Sequence, residues 1–193
     1  MTDLTIRMEN AVSALANLMG VEQFRPGRQI IRNEKRWRIG EICVYHAWHA
    51  YVLPSFHDRA VVAVTRTRET EFRGQVFPAF FRAGIMVVAA DSFSLKQSAV
   101  ANIEREPIQD AVPSLDLLAD NQHGWLDGIG YELHLDTAAC HSQLAFGNPT
   151  VPGFRRLEDA FLQIASEIAQ SSKEFSVTEY LKVWRKYLDG RTT

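Results

Sequence analysis

The stretch Trp125-Leu-Asp-Gly-Ile-Gly-Tyr-Glu-Leu-His-Leu-Asp136, continued by Thr137-Ala-Ala-Cys140 and His141-Ser-Gln-Leu-Ala-Phe146, decides the reading of the fold. Its first segment alternates at period two. Tyr131, Leu133 and Leu135 fall on one side and Glu132, His134 and Asp136 on the other, as in a half-buried strand. Pairing Asp136 with His141 sets Leu133 against Leu144 and Tyr131 against Phe146, with Ser142 opposite Leu135 as the exception. A slip of one residue turns every side chain to the wrong face, so this register is the predicted one. Gly147-Asn-Pro-Thr-Val-Pro-Gly153 ends the second strand. Beyond it Phe154, Leu157, Phe161, Ile164, Ala165 and Ile168 recur on one helical face, which suits a helix covering the apolar side of the hairpin.

Working outward, Val177, Tyr180, Leu181, Trp184 and Leu188 give a second C-terminal helix, with Ser176 to Glu179 in a capping-box pattern at its start. Leu4, Met8, Ala11, Val12 and Leu15 give an N-terminal helix over Thr2 to Met19, stopped by Gly20. Arg59 to Arg68 and Gly84 to Ala90 read as strands, the second as an interior one. Asp91 and Ser92 suit the cap of a helix from Phe93 to Arg105, and Ser114 to Asp120 one or two helical turns. The segment Ile39 to Phe56 stays open. Its Val, Tyr, Trp and Ile content favours strand, whereas the spacing of Ile39, Ile42, Cys43, His46, His49 and Leu53 suits a helix. With no repeat and no low-complexity linker, residues 1–193 are expected to form a single α+β domain, a largely antiparallel sheet flanked by N- and C-terminal helices.

A chain of 193 residues can bury a core without disulfides or metals, and 46% hydrophobic with 23% charged residues is the balance of a globular protein. The net charge of −2 gives no whole-molecule attraction to nucleic acid or to an anionic membrane. Cys43 and Cys140 are too few for a disulfide framework. No apolar run reaches the roughly 18 residues of a membrane span, and the N-terminus carries acid where a secretory signal carries base, so a cytoplasmic location is expected. Phosphate-binding glycine loops and the Gly-x-Ser-x-Gly elbow are missing.

Two groups of residues stand out as candidate sites. Arg25, Arg28, Arg32, Lys35, Arg36 and Arg38, with Trp37 among them, make a basic run that suits an acidic protein or phosphates. The same run also suits a solvated loop and helix start whose charges pair with acids elsewhere. Cys43, His46, His49 and His57 offer nitrogen and sulfur ligands for a divalent metal such as zinc, although neither His-Glu-x-x-His nor Cys-x-x-Cys is present. Only a helix would put His46 and His49 on one face, and the alternative is histidines packed among Trp48 and Tyr51. On the hairpin, Glu132, His134, Asp136 and His141 pair carboxylates with imidazoles. With no nucleophile or oxyanion hole beside them, no catalytic residue is assigned, and no cofactor is expected.

The hairpin–helix module, through Asp127-Gly128, Tyr131-Glu-Leu133, Phe146-Gly-Asn-Pro149 and the helix bearing Leu157 and Ile164, resembles the small bacterial immunity-type proteins of polymorphic toxin systems. That resemblance covers scaffold, so no functional residue carries over from it. It implies a cytoplasmic protein that binds one partner protein, a toxin, and performs no reaction. Charge complementarity then makes Arg25, Arg28, Arg32, Arg36, Trp37 and Arg38 the candidate partner-binding residues. The alternatives are a small metal-dependent enzyme using the Cys43 to His57 region and a nucleic-acid-binding protein using the Arg25 to Arg38 run.

Overall fold

Val61, Val62, Ala63 and Val64 are buried in succession, which a strand allows only when both of its faces are covered. The computed structural model describes residues 3–33, 38–70, 77–92, 94–116 and 128–190. Helix α1 (Asp3–Leu18) is followed by strands β1 (Gly27–Asn33), β2 (Arg38–Pro54), β3 (Arg59–Thr70), β4 (Phe80–Val88) and β5 (Leu95–Ile103). Then come a single turn α2 (Ile108–Ala111), a 3-10 turn (Val112–Ser114), the hairpin β6 (Ile129–Thr137) and β7 (His141–Gly147), and helices α3 (Pro152–Ser172) and α4 (Phe175–Asp189). This is the expected α+β arrangement, with the sheet antiparallel at every pairing.

The sheet runs β5-β4-β3-β2-β6-β7, with β1 also on β2. Strand β2 resolves the open segment in favour of strand. One of its edges carries β3, while the other carries β1 as far as Val44 and β6 from His46 onward. Between these, Tyr45 is an extra residue in the pairing with β3, a β-bulge. The bulge reverses the side-chain parity. Ile42 and Val44 pack on the α1 side with Ala47 and Tyr51, whereas Trp48, Ala50 and Val52 face α3 and α4.

Two cores result, one on each side of the sheet. On one side Met8, Ala11 and Leu15 of α1, with Met19 just past its end, pack with Val61, Ala63, Met86 and Val88. On the other, Phe154, Leu157, Phe161 and Ile164 of α3 and Trp184 of α4 pack with Val62, Val64, Ile85, Tyr131 and Phe146. Trp184 Nε1–H donates to the Tyr131 hydroxyl at 2.9 Å, so neither aromatic leaves that polar atom stranded. The hairpin has the predicted register, with Asp136 opposite His141, Leu133 opposite Leu144 and Tyr131 opposite Phe146. The two motifs at its open end meet. Asn148 Oδ1 accepts from the Ile129 amide at 3.0 Å, and a Cβ on Gly128 would stand 2.0 Å from the Asn148 amide nitrogen.

Three expectations are corrected, and a fourth falls mostly outside the described residues. The helix expected over Phe93 to Arg105 is the strand β5, drawn out of any local helical preference by pairing along the edge of β4. The basic run does not start a helix, because Gly27–Asn33 pairs with β2 as a strand. Helical turns come at Ile108–Ala111 and Val112–Ser114, and most of the stretch Ser114 to Asp120, where one or two turns were expected, lies outside the described residues. The capping box does not form: α4 starts one residue ahead of Ser176, and the Ser176 hydroxyl donates to the Glu174 side chain at 2.9 Å.

Helix α3 begins against the 3-10 turn, where a Cβ on Gly153 would lie 2.5 Å from the Ser114 carbonyl oxygen. Gly153→Ala improves helix propensity by up to about 1 kcal/mol, yet the clash is with backbone that cannot rotate away. The variant is expected to lose about 1–3 kcal/mol in urea denaturation; a gain would show that the turn yields freely.

Candidate functional site

The bulge at Tyr45 also shapes the surface. Arg66 and Arg68 continue the Val62–Val64 face of β3, past the part covered by α3 and α4. The Tyr45 ring, 38% exposed, receives both guanidiniums, with Arg68 Cζ at 5.4 Å and Arg66 Cζ at 5.9 Å from its centroid. Arg66 also lies 5.7 Å from the centre of Phe81. In register, Arg28 of β1 stands opposite Cys43, and Cys43 opposite Arg68, so a third arginine belongs to the same face. Among the described residues, no carboxylate forms an ion pair with Arg28, Arg66 or Arg68. Glu41 shares this face of β2, one cross-strand row further on.

Beneath the arginines lies a buried polar pair. The chain leaving β5 crosses back to β2, where Glu106 accepts from Trp48 Nε1–H at 2.6 Å and from His46 Nε2–H at 3.0 Å. The Glu106 side chain is 1% exposed, so these bonds replace its water. His46 is the cross-strand neighbour of Arg66, and its ring lies 5.9 Å from Phe81. The platform under Arg66 is therefore anchored to the core.

The opposite side of β2 carries a different cluster. His49 faces His134 across the β2–β6 pairing, and their rings stack at 4.6 Å. His134 Nε2–H and the Gln143 amide both donate to Glu132 Oε1, and His141 Nδ1–H donates to Asp136. Burial, with His134 and then His141 nearby, pushes His49 down to about 3. Burial and the neighbouring Glu132 push Tyr51, edge-on to both imidazoles, up to about 12. His49 Nδ1 is buried with no hydrogen-bond partner among the described residues.

Comparison of the chain with protein-family models, with curated proteins and with solved structures gave no match. No family is shown. Function has to be read from the geometry.

That geometry divides the sequence candidates. Arg25 lies in the segment before β1, whose backbone is gripped by the buried Gln29: the Gln29 amide donates to the Gln23 and Arg25 carbonyls. Arg28 is on the cationic face. Arg32 and Arg38 are strand residues, opposite Ile39 and Asn33. Arg36 and Trp37, like Lys35, lie outside the described residues. Of the metal candidates, His46 and His49 point to opposite sides of the sheet, His57 sits edge-on to Tyr187 at 5.7 Å, and Cys43 belongs to the row of Arg28 and Arg68. Among the described residues, no three His, Cys, Asp or Glu side chains are arranged to hold a metal ion. Tyr45, Arg66 and Arg68 were missed as a site, although Thr65-Arg66-Thr67-Arg68 alternates at period two in the sequence. Nothing local marks Glu106.

Two outcomes follow from these polar groups. Glu106→Ala leaves the Trp48 N–H buried without an acceptor and is expected to cost about 3 kcal/mol. Glu106→Gln keeps an acceptor and should cost clearly less; equal losses in chemical denaturation would refute the anchoring role. His49 is neutral when folded but takes a proton when unfolded below about pH 6.5. Its share of stability is therefore complete above that pH and is lost as the pH falls toward 3, at up to about 1.4 kcal/mol per unit. Urea denaturation at pH 4, 5, 6 and 7 should show a shallower acid loss in His49→Phe than in wild type, and parallel curves would contradict the assignment.

Proposed function

We propose that the chain is a non-catalytic protein-binding module of the immunity type, acting in the cytoplasm against a toxin. The observation that carries the binding reading is the stack of exposed Arg66 and Tyr45 with half-buried Arg68, whose arginines have no carboxylate partner among the described residues. Tyrosine and arginine are the residues that most often dominate binding energy at interfaces, and stacking pre-orders both guanidiniums at low entropic cost. Support for the immunity reading comes from the hairpin–helix module. No helix of the described residues is long and apolar enough to cross a membrane. Of the arginines expected from the sequence, Arg28 shares this surface, to which the structure adds Tyr45, Arg66 and Arg68.

A photo-crosslinking residue at Tyr45, compared with one at Phe175 at the start of α4, tests this in the native host. Phe175 is 73% exposed, so it reports random encounter. The expected result is one discrete protein adduct at position 45 alone, reduced at least tenfold by Arg66→Glu with Arg68→Glu. Equal adducts at both positions, no adduct, or adducts to nucleic acid would reject the reading.

A further inference from the structure

We infer that the Arg66–Tyr45–Arg68 face takes an extended acidic segment of the partner, with carboxylates on alternate residues. This rests on the binding reading above and adds the chemistry of the partner.

The spacing comes from the strand. Arg66 and Arg68 are two residues apart on one face of β3, so their Cα atoms are about 6.6 Å apart along the strand. An extended segment presents its own alternate side chains at the same repeat of about 6.6 Å. Glu or Asp at positions i and i+2 of such a segment therefore meets one arginine each. Among the described residues Arg68 Nε–H is buried without an acceptor and no carboxylate pairs with the guanidinium, which stacks on Tyr45. Two like charges drawn to one ring repel each other, and a pair of carboxylates relieves that repulsion while gaining charge-assisted hydrogen bonds.

Glu41 limits the length of the ligand. It lies on the same face, exposed, in the cross-strand row beyond Arg28, Cys43 and Arg68. A long polyanion running along the face meets this negative charge, whereas a short acidic segment stops before it.

The test titrates the full chain with a blocked hexapeptide alternating Glu and Ser, following Tyr45 and arginine side-chain resonances by NMR. Inorganic phosphate and a hexapeptide alternating Lys and Ser serve as comparison probes. The expected result is saturable binding of the Glu peptide that shifts the Tyr45 and Arg68 signals and weakens with salt. It should fall at least tenfold in Arg66→Gln with Arg68→Gln, whose fold is checked by circular dichroism. Unmoved signals, or equal binding by that variant, would overturn the inference. So would phosphate binding more tightly than the peptide and displacing it, since the face would then select a phosphorylated group. If the peptide fails while the Tyr45 protein crosslink persists, the acidic-segment inference falls and the binding reading stands; if both fail, both fall.

Discussion

One extra residue in β2 reconciles the two sides of the molecule. Without the bulge at Tyr45, strict alternation would send Cys43 and Glu41 into the core under α1 and turn Ile42 and Val44 toward α3. The bulge falls where the neighbouring strand changes from β1 to β6, so the break in the ladder coincides with a break that the topology already requires. A residue left out of the ladder is free to protrude. The constraint that corrects the core thus also puts an aromatic ring where two arginines of β3 can reach it.

The same constraint explains what could be read in advance. The β6–β7 hairpin was legible to the residue because its polar side faces outward, and one-sided burial writes a clean alternation into the sequence. In β2, Ala47, Trp48, Ala50, Tyr51 and Val52 are all buried, which erases the alternation, and the bulge shifts what remains of it. The resulting spacing imitates a helix. In β5 the ambiguity has another source. It is an edge strand with only Ala99 and Ile103 buried, so its local sequence hardly opposes a helix, and the edge of β4 decides.

For the candidate site, closeness in sequence misled. Arg25 and Arg28 are three residues apart, yet only Arg28 belongs to the row shared with Arg68, forty residues on. His46 and His49 are separated by the sheet itself, each with its own polar environment: a buried carboxylate for one, a second imidazole for the other. Glu106 finds its partners 58 and 60 residues earlier in the chain, a pairing that only the crossing from β5 to β2 creates. Such long-range pairs leave no periodicity behind, whereas the Thr–Arg alternation of β3 did leave one.

The helical cover on the α3 side stops before it reaches Arg28, Tyr45, Arg66 and Arg68, while Gln29, Val44 and Thr67 remain buried on the reverse of the same strands. Side chains on an uncovered face contribute little to folding, and substitutions there usually change stability by no more than about 0.5 kcal/mol. This end of the sheet is therefore free to diversify. This surface can change one residue at a time, while the buried reverse side keeps the backbone that displays it.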